Sequence, residues 1–327
     1  MSARASRARA TLAVAASAFL LLGTATAVTS AAGDQGGTVA KPTASHGECG
    51  KGKGRGIPDS QIGIQLWNFA AYVGFGSDPA TQDRVREVLS RLGEMGYRKV
   101  EPFTFNGFTA TEYKALLDEN GLRAHSRHGS TDEATWDQHL ADAKVLGQKF
   151  TGSGGSAAPG IDTLEDTLAT AETLNRLGER SVKNGTGKIF VHNHQPEFRN
   201  QFEDPETGET KSAWQFLVEN TERRHVAFQL DLLWATDGGA DPVELLKKYG
   251  HRIKLLHVKD GINVADPANA TPVPMGDGEM VFEPILRAAK GKVRYYIYEQ
   301  DPPFGDPTFD PFASAQKGID YLDCVKF

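Results

Sequence analysis

The chain has 327 residues, a formal charge of −6 and 39 % hydrophobic residues. Such length and apolar content suit one large α/β domain with a substantial core. Net acidity, with no basic cluster beyond the first residues and the short leader, argues against a nucleic-acid partner, which needs a clustered basic surface.

At the N-terminus, Arg4, Arg7 and Arg9 precede an apolar stretch from Thr11 to Val28, and Ala25-Thr26-Ala27 fits a cleavage site. Residues 1–27 are therefore expected to be a secretory signal peptide, which makes the mature protein secreted. A membrane anchor is the alternative, but the apolar core is short and rich in Ala and Thr, so no stable membrane association is expected after cleavage. The general secretory route is indicated because no twin arginine is present. No Cys lies near the cleavage site, which argues against a lipid-anchored form. Residues 28–56 are rich in Gly, Ser, Lys and Thr without periodicity and read as a flexible leader. The two cysteines, Cys49 and Cys324, lie near the two ends of the mature chain. In an oxidising compartment they are expected to form a disulfide closing a very long loop, worth roughly 4 kcal/mol in the chain-entropy model.

From Ile57 onward strands and helices alternate. The first strand is Ile62 to Trp67, followed by a helix from Asp78 to Met95 with Val85, Val88, Leu89 and Leu92 at helical spacing. Arg98 to Phe103 is a strand, and 110–121 is a helix closed by Gly121. Leu122 to His128 is a strand, followed by helix 131–147 with Thr131 as N-cap. Lys149 to Gly155 leads to helix 163–185, and Lys188 to His194 leads to helix 213–224. The last three units are Val226 to Leu232 with helix 241–250, Ile253 to Val258 with helix 281–291, and Val293 to Glu299 with a closing helix at 313–322. Eight such units imply a parallel sheet closed into a single-domain α/β (β/α)8 TIM barrel over residues 57–327. An open doubly wound sheet is the competitor, but the Gly-rich phosphate turn after its first strand is absent. Residues 199–212 interrupt the fifth unit with a polar run that is either a lid at the barrel mouth or a solvated insertion.

Strand side chains alternate, so His192 and His194 share a face, as do Gln229 and Asp231, His257 and Lys259, and Lys99 and Glu101. Placed inward, these faces converge at one barrel mouth, with Glu299 and His128 ending their own strands there. His192 or His194, Asp231, His257 and Glu299 then form an N/O ligand set suited to one divalent metal ion: manganese, zinc or cobalt, with magnesium also open. Burying these ionisable groups together without a cation is unfavourable by several kcal/mol.

The motifs His192-Asn193-His194-Gln195-Pro196-Glu197-Phe198, Leu230-Asp231 with Trp234, Leu256-His257-Val258-Lys259-Asp260 and Tyr298-Glu299-Gln300-Asp301 carry a resemblance to a known family. Over residues 57 to 325 the chain resembles the xylose isomerase-like TIM barrels, the sugar phosphate isomerase/epimerase group. That resemblance implies a divalent ion held by His192, Asp231, His257 and Glu299. It also implies a departure: relatives acting on free ketoses carry Glu where this chain has His192, so their two-glutamate proton transfer does not carry over intact.

The expected activity is a metal-dependent sugar isomerase or epimerase working through an enediolate on a small-molecule carbohydrate. Glu299 or Glu197 is expected to take the proton, and Lys259 to stabilise charge or act as acid. Glu101, His128 and His194 are expected to hold substrate hydroxyls, with Trp67 and Trp234 as apolar walls. The same enolate chemistry serves a lyase or dehydratase acting on a keto-sugar or keto-glycoside. A non-catalytic sugar-binding barrel and a phosphodiesterase of the abasic-site endonuclease kind are the remaining classes. The latter needs more metal ligands and a basic groove. Oligomeric state is not legible in the sequence.

Overall fold

Eight short parallel strands form the frame of the molecule in a computed structural model that describes residues 56–266 and 268–327. The expected signal peptide, all but the last residue of the expected leader, and Cys49 lie outside the described residues; Cys324 ends the last helix. The strands are β1 (Ile62–Gln65), β2 (Lys99–Glu101), β3 (Arg123–Ala124), β4 (Phe150–Ser153), β5 (Lys188–Val191), β6 (Val226–Asp231), β7 (Ile253–Val258) and β8 (Tyr295–Tyr298). They pair in the order β3-β2-β1-β8-β7-β6-β5-β4. The remaining seam, between β3 and β4, closes beyond the end of β3. There His128 bridges Gly152 in parallel, and Lys149 N–H donates to the His125 carbonyl at 3.2 Å and Gly129 N–H to the Gly152 carbonyl at 2.7 Å. The expected eight-stranded barrel is thus the observed one, and its closure removes free sheet edges.

One crossover helix follows each strand: α1 (Pro79–Met95), α2 (Ala110–Glu119), α3 (Trp136–Leu146), α4 (Leu164–Asn184), α5 (Ala213–Asn220), α6 (Pro242–Tyr249), α7 (Phe282–Ala289) and α8 (Pro311–Cys324). Most begin at a side chain that satisfies an orphan backbone N–H. Asp78 caps α1, and Thr109 with Glu112 and Ser212 with Gln215 form capping boxes on α2 and α5. The start of α3 departs from expectation. Thr131 does not cap it; the helix begins at Trp136. Asp132 accepts from the Ala134 N–H at 3.0 Å and its carbonyl from the Thr135 N–H at 3.1 Å, and this local turn consumes the residues that would have formed the first helical turn.

Alternation along the strands divides the interior in two. Outward side chains such as Ile189, Leu230, Leu256, Tyr296 and Tyr298 join the main core beneath the helices. Inward side chains Phe150, Phe190, Ala227, Leu255, Tyr295 and Ile297 make a separate apolar plug inside the barrel. Two residues further along β5 to β8, the same inward rows carry His192, Gln229, His257 and Glu299, so a polar layer rests directly on the plug. The polar run at 199–212 folds as an antiparallel hairpin, Gln201–Glu203 with Thr210–Ser212. A second hairpin, Asp260–Ile262 with Thr271–Val273, follows β7 and was not apparent in the sequence. Asp260 fastens it, accepting from the N–H groups of Gly261, Gly276, Gly278 and Met280 at 2.9–3.2 Å.

Candidate active site

His257 is the hub of the mouth. It is fully buried, and its two ring nitrogens face carboxylates on opposite sides: Nδ1 lies 2.7 Å from Glu299 Oε2 and Nε2 lies 2.7 Å from Glu101 Oε1. Asp231 Oδ2 is 3.8 Å from Nδ1. Burial depresses the imidazole's basicity, but Glu299 and Glu101 outweigh it and raise its pKa to about 10. At neutral pH His257 is therefore an imidazolium, donating to both carboxylates. Burial pushes Glu101 up, and the charges of His128 and His257 reverse that, holding it well below the usual carboxylate range.

Lys259, two residues further along the chain, places an ammonium among three acids. Its Nζ lies 3.0 Å from Asp231 Oδ2, 2.8 Å from Glu299 Oε2 and 2.8 Å from Asp301 Oδ2. These charges keep the buried Lys259 protonated well above its ordinary value despite desolvation. Glu299 is likewise held ionised: burial raises its pKa, and Lys259 and His257 more than reverse the rise. Asp231 differs, with burial dominating and its pKa raised in spite of Lys259. Its Oδ1 caps the short helix Leu232–Asp237 by accepting from the Trp234 N–H at 2.9 Å. Its Oδ2 is buried and, apart from the ion pair with Lys259, accepts no hydrogen bond.

The imidazoles of His128 and His192 flank His257, with ring centroids 5.2 and 4.8 Å from it. Gln229 organises both. Its Nε2 donates to Glu101 at 2.9 and 3.1 Å, which orients its Oε1 toward His192 Nδ1 at 2.9 Å and His128 Nε2 at 2.7 Å. His192 therefore carries its proton on Nδ1 and presents Nε2 as a lone pair. Burial, reinforced by the neighbouring histidines, keeps it neutral, its pKa well below ordinary. His194 sits 4.9 Å from His192 and 6.4 Å from Trp234 between ring centroids, with burial and Lys259 lowering its pKa to about 4. Trp234 packs over the Lys259 ammonium at 5.2 Å.

The residues fit a divalent ion. The ligand atoms of Asp231, His257 and Glu299 lie within 4.8 Å of one another, as do those of His128, His192 and His257. Asp231 Oδ2 lacks a hydrogen bond, and His192, its Nδ1 engaged by Gln229, keeps the Nε2 lone pair as a donor. A metal taking His257 would have to displace its proton, so binding would compete with the two short contacts to Glu299 and Glu101.

Most of the expected site residues are brought together here: Glu101, His128, His192, Asp231, His257, Lys259 and Glu299. Glu197 stands apart. Its Oε1 accepts from Ser156 Oγ at 3.0 Å and its Oε2 from the His194 N–H at 2.8 Å, so it braces the turn after β5. Gln65, Ser126, Gln229 and Asn193 were given no role from sequence. Gln65 and Ser126 hold Glu101, and Asn193 clamps the end of β5 to the Asp231 backbone at 3.1 and 3.3 Å. The available signal was a buried amide on the inward row of a strand, as with Gln229 two residues before Asp231.

Comparison with known proteins agrees with this architecture. A family model described as xylose isomerase-like TIM barrel matches residues 89–322. A sugar phosphate isomerase/epimerase from Parabacteroides distasonis superposes with a TM-score of 0.63 at 24 % identity, covering 81 % of this chain and 94 % of that one. An L-ribulose 3-epimerase superposes with a TM-score of 0.60 at 13 % identity over 80 % of this chain and 93 % of its own. At these identities the likeness is one of fold. An inosose dehydratase from Clostridium botulinum is 31 % identical over 181 residues, 48 % of this chain and 54 % of that protein. A second, from Geobacillus thermodenitrificans, is 28 % identical over 50 % of this chain and 55 % of its own. The chain thus spans about half the length of the curated relatives it matches.

Proposed function

The chain belongs to the xylose isomerase-like TIM barrel family, and from that premise we propose that it is a divalent-metal-dependent sugar isomerase or epimerase working through an enediolate. The observation that carries the reading is the convergence of Asp231, His257 and Glu299, with ligand atoms within 4.8 Å, at the mouth of a closed barrel. With His192 as a fourth donor, these residues would hold the ion, which supplies polarisation of a carbonyl–hydroxyl pair and a more acidic adjacent C–H.

The protein's own groups divide the remaining work. Glu299 is ionised and placed to accept the carbon-bound proton. Lys259, 2.8 Å from Glu299, is protonated and placed to neutralise charge on a substrate oxygen or to donate to it. His128 and the neutral His194 offer hydrogen-bonding groups for hydroxyls. Glu197, engaged by Ser156 and His194, positions the β5 turn. The resemblance implies that His192 stands where relatives acting on free ketoses carry a glutamate, so here Glu299 alone would serve as base.

That asymmetry supports a second reading, dehydration of a keto-sugar or keto-glycoside. An acid, Lys259, sits beside a base, Glu299, as syn elimination of water requires, and both curated relatives are inosose dehydratases. The test is metal analysis followed by incubation in D2O with a panel of ketoses and keto-glycosides. Deuterium incorporation with recovery of a sugar supports isomerisation or epimerisation, and release of water or an aglycone supports elimination. If His257→Ala retained both metal content and turnover, the site would be wrongly placed.

A further inference from the structure

Four aromatic side chains from three different loops converge at the same barrel mouth. Trp67 follows β1, Phe75 lies before α1, Phe103 follows β2 and Phe304 follows β8. Trp67 meets Phe103 edge-on at 5.1 Å, and Phe75 and Phe304 at 5.9 Å each. Phe75 and Phe304 face each other at 6.4 Å with an interplanar angle of 22°. Both are surface residues, 64 % and 56 % exposed. Paired aromatic rings left open to water carry a hydration penalty that a ligand can remove.

The exposure is built into the loop. Asn106, buried and in the left-handed region at φ 49°, donates from Nδ2 to the carbonyls of Gly74 and Gly76 at 3.2 and 3.1 Å, on both sides of Phe75. Arg84 grips the Val73 carbonyl at 3.0 and 3.1 Å. Phe75 is thus presented on a fastened loop, which spares a ligand much of the ordering cost of binding.

The cluster is continuous with the ionisable site. The Trp67 backbone N–H donates to Gln65 Oε1 at 3.2 Å, and Gln65 Nε2 donates to Glu101, the partner of His257. Phe103 lies two residues beyond Glu101, and Phe304 five beyond Glu299. A monosaccharide offers an aromatic wall only the C–H groups of its ring faces. Four converging rings exceed what one sugar covers and match a flat apolar group attached to it. We propose that Trp67, Phe75, Phe103 and Phe304 form an aglycone subsite, so that the substrate is a glycoside or keto-glycoside bearing an aromatic aglycone. The inference rests on the reading of the adjoining site as a carbohydrate site.

Binding separates the two. Dissociation constants for phenyl β-D-glucopyranoside and methyl β-D-glucopyranoside would be measured on the full protein by saturation-transfer NMR, without need of turnover. The phenyl glycoside is expected to bind about tenfold more tightly, with strong transfer to its ring protons. The double variant Phe75→Ser with Phe304→Ser changes two exposed rings, so the fold is retained, as circular dichroism would check. It should lower phenyl glycoside affinity about tenfold and leave the methyl glycoside unchanged. Equal affinities in the native protein, a preference that survives in the double variant, or no binding of either glycoside at millimolar concentration overturns the proposal. An aglycone preference without proton exchange or elimination on any sugar would sink the proposed reaction and leave the subsite standing.

Discussion

Lys259→Met isolates the central electrostatic feature of the site. The substitution keeps the length and apolar stem of the side chain and removes the ammonium that lies within 3.0 Å of Asp231, Glu299 and Asp301. Breaking a buried ion pair from one side costs about 3–5 kcal/mol, because the partner charge stays buried and unpaired. Here three acids lose one cation, and the His257 imidazolium, 2.7 Å from Glu299 and 3.8 Å from Asp231, compensates in part. A loss of roughly 3–5 kcal/mol at pH 7 is expected in metal-free protein, read as a fall in the urea midpoint with little change in slope. The deficit should shrink toward pH 5 as the crowded carboxylates take up protons in the variant. It should also shrink when manganese or zinc is added. A ligand at one hundred times its Kd stabilises by about 2.7 kcal/mol, and the variant, with no ammonium competing for the same oxygens, should gain more than the native protein. A variant within about 1 kcal/mol of native stability, or a deficit that stays constant from pH 7 to 5 and with metal, would refute this electrostatic account.

Three further outcomes are expected. In metal-free protein the His257 pKa is raised from 6.5 to about 10, so its contribution is complete below pH 6.5 and is lost as pH climbs through 10. The His194 pKa is lowered to about 4, so its contribution is complete above 6.5 and is lost as pH falls toward 4. Denaturation across pH 4–10 should therefore show greatest stability near neutrality, with His257→Gln flattening the alkaline limb and His194→Gln the acid limb; unaltered limbs would contradict the assignment. Gln229→Leu removes the shared partner of His128, His192 and Glu101, and should lower stability by about 1–3 kcal/mol and metal affinity at least about tenfold, measured by calorimetric titration; unchanged affinity would show that Gln229 does not orient His192. Asp260→Ala strips the acceptor from four backbone N–H groups, so hydrogen exchange should accelerate at Gly276, Gly278 and Met280 while β7 stays protected; uniform protection would mean the loop is held by other contacts.

Much of this protein was determined by local pattern. Eight apolar runs alternating with capped amphipathic segments specify a (β/α)8 barrel, because parallel strands need helical crossovers and eight such units close on themselves. Period-two alternation also assigned His192, Asp231, His257, Lys259 and Glu299 to inward rows, since a one-residue slip would bury every polar member in the wrong layer. What the sequence could not decide was which of these groups touch. That His257 bridges Glu101 and Glu299, that Gln229 joins strands β2, β5 and β6 through its two amide atoms, and that Glu197 turns to Ser156 and the His194 backbone all depend on barrel stagger and loop course. The start of α3 was missed because a side-chain turn at Asp132 competes with a helical cap. Trp67 was legible as an apolar wall, but its companions were hidden for the same reason as the hub: Phe75, Phe103 and Phe304 are scattered over more than two hundred residues, and only closure of the barrel between its first, second and eighth strands brings them to Trp67.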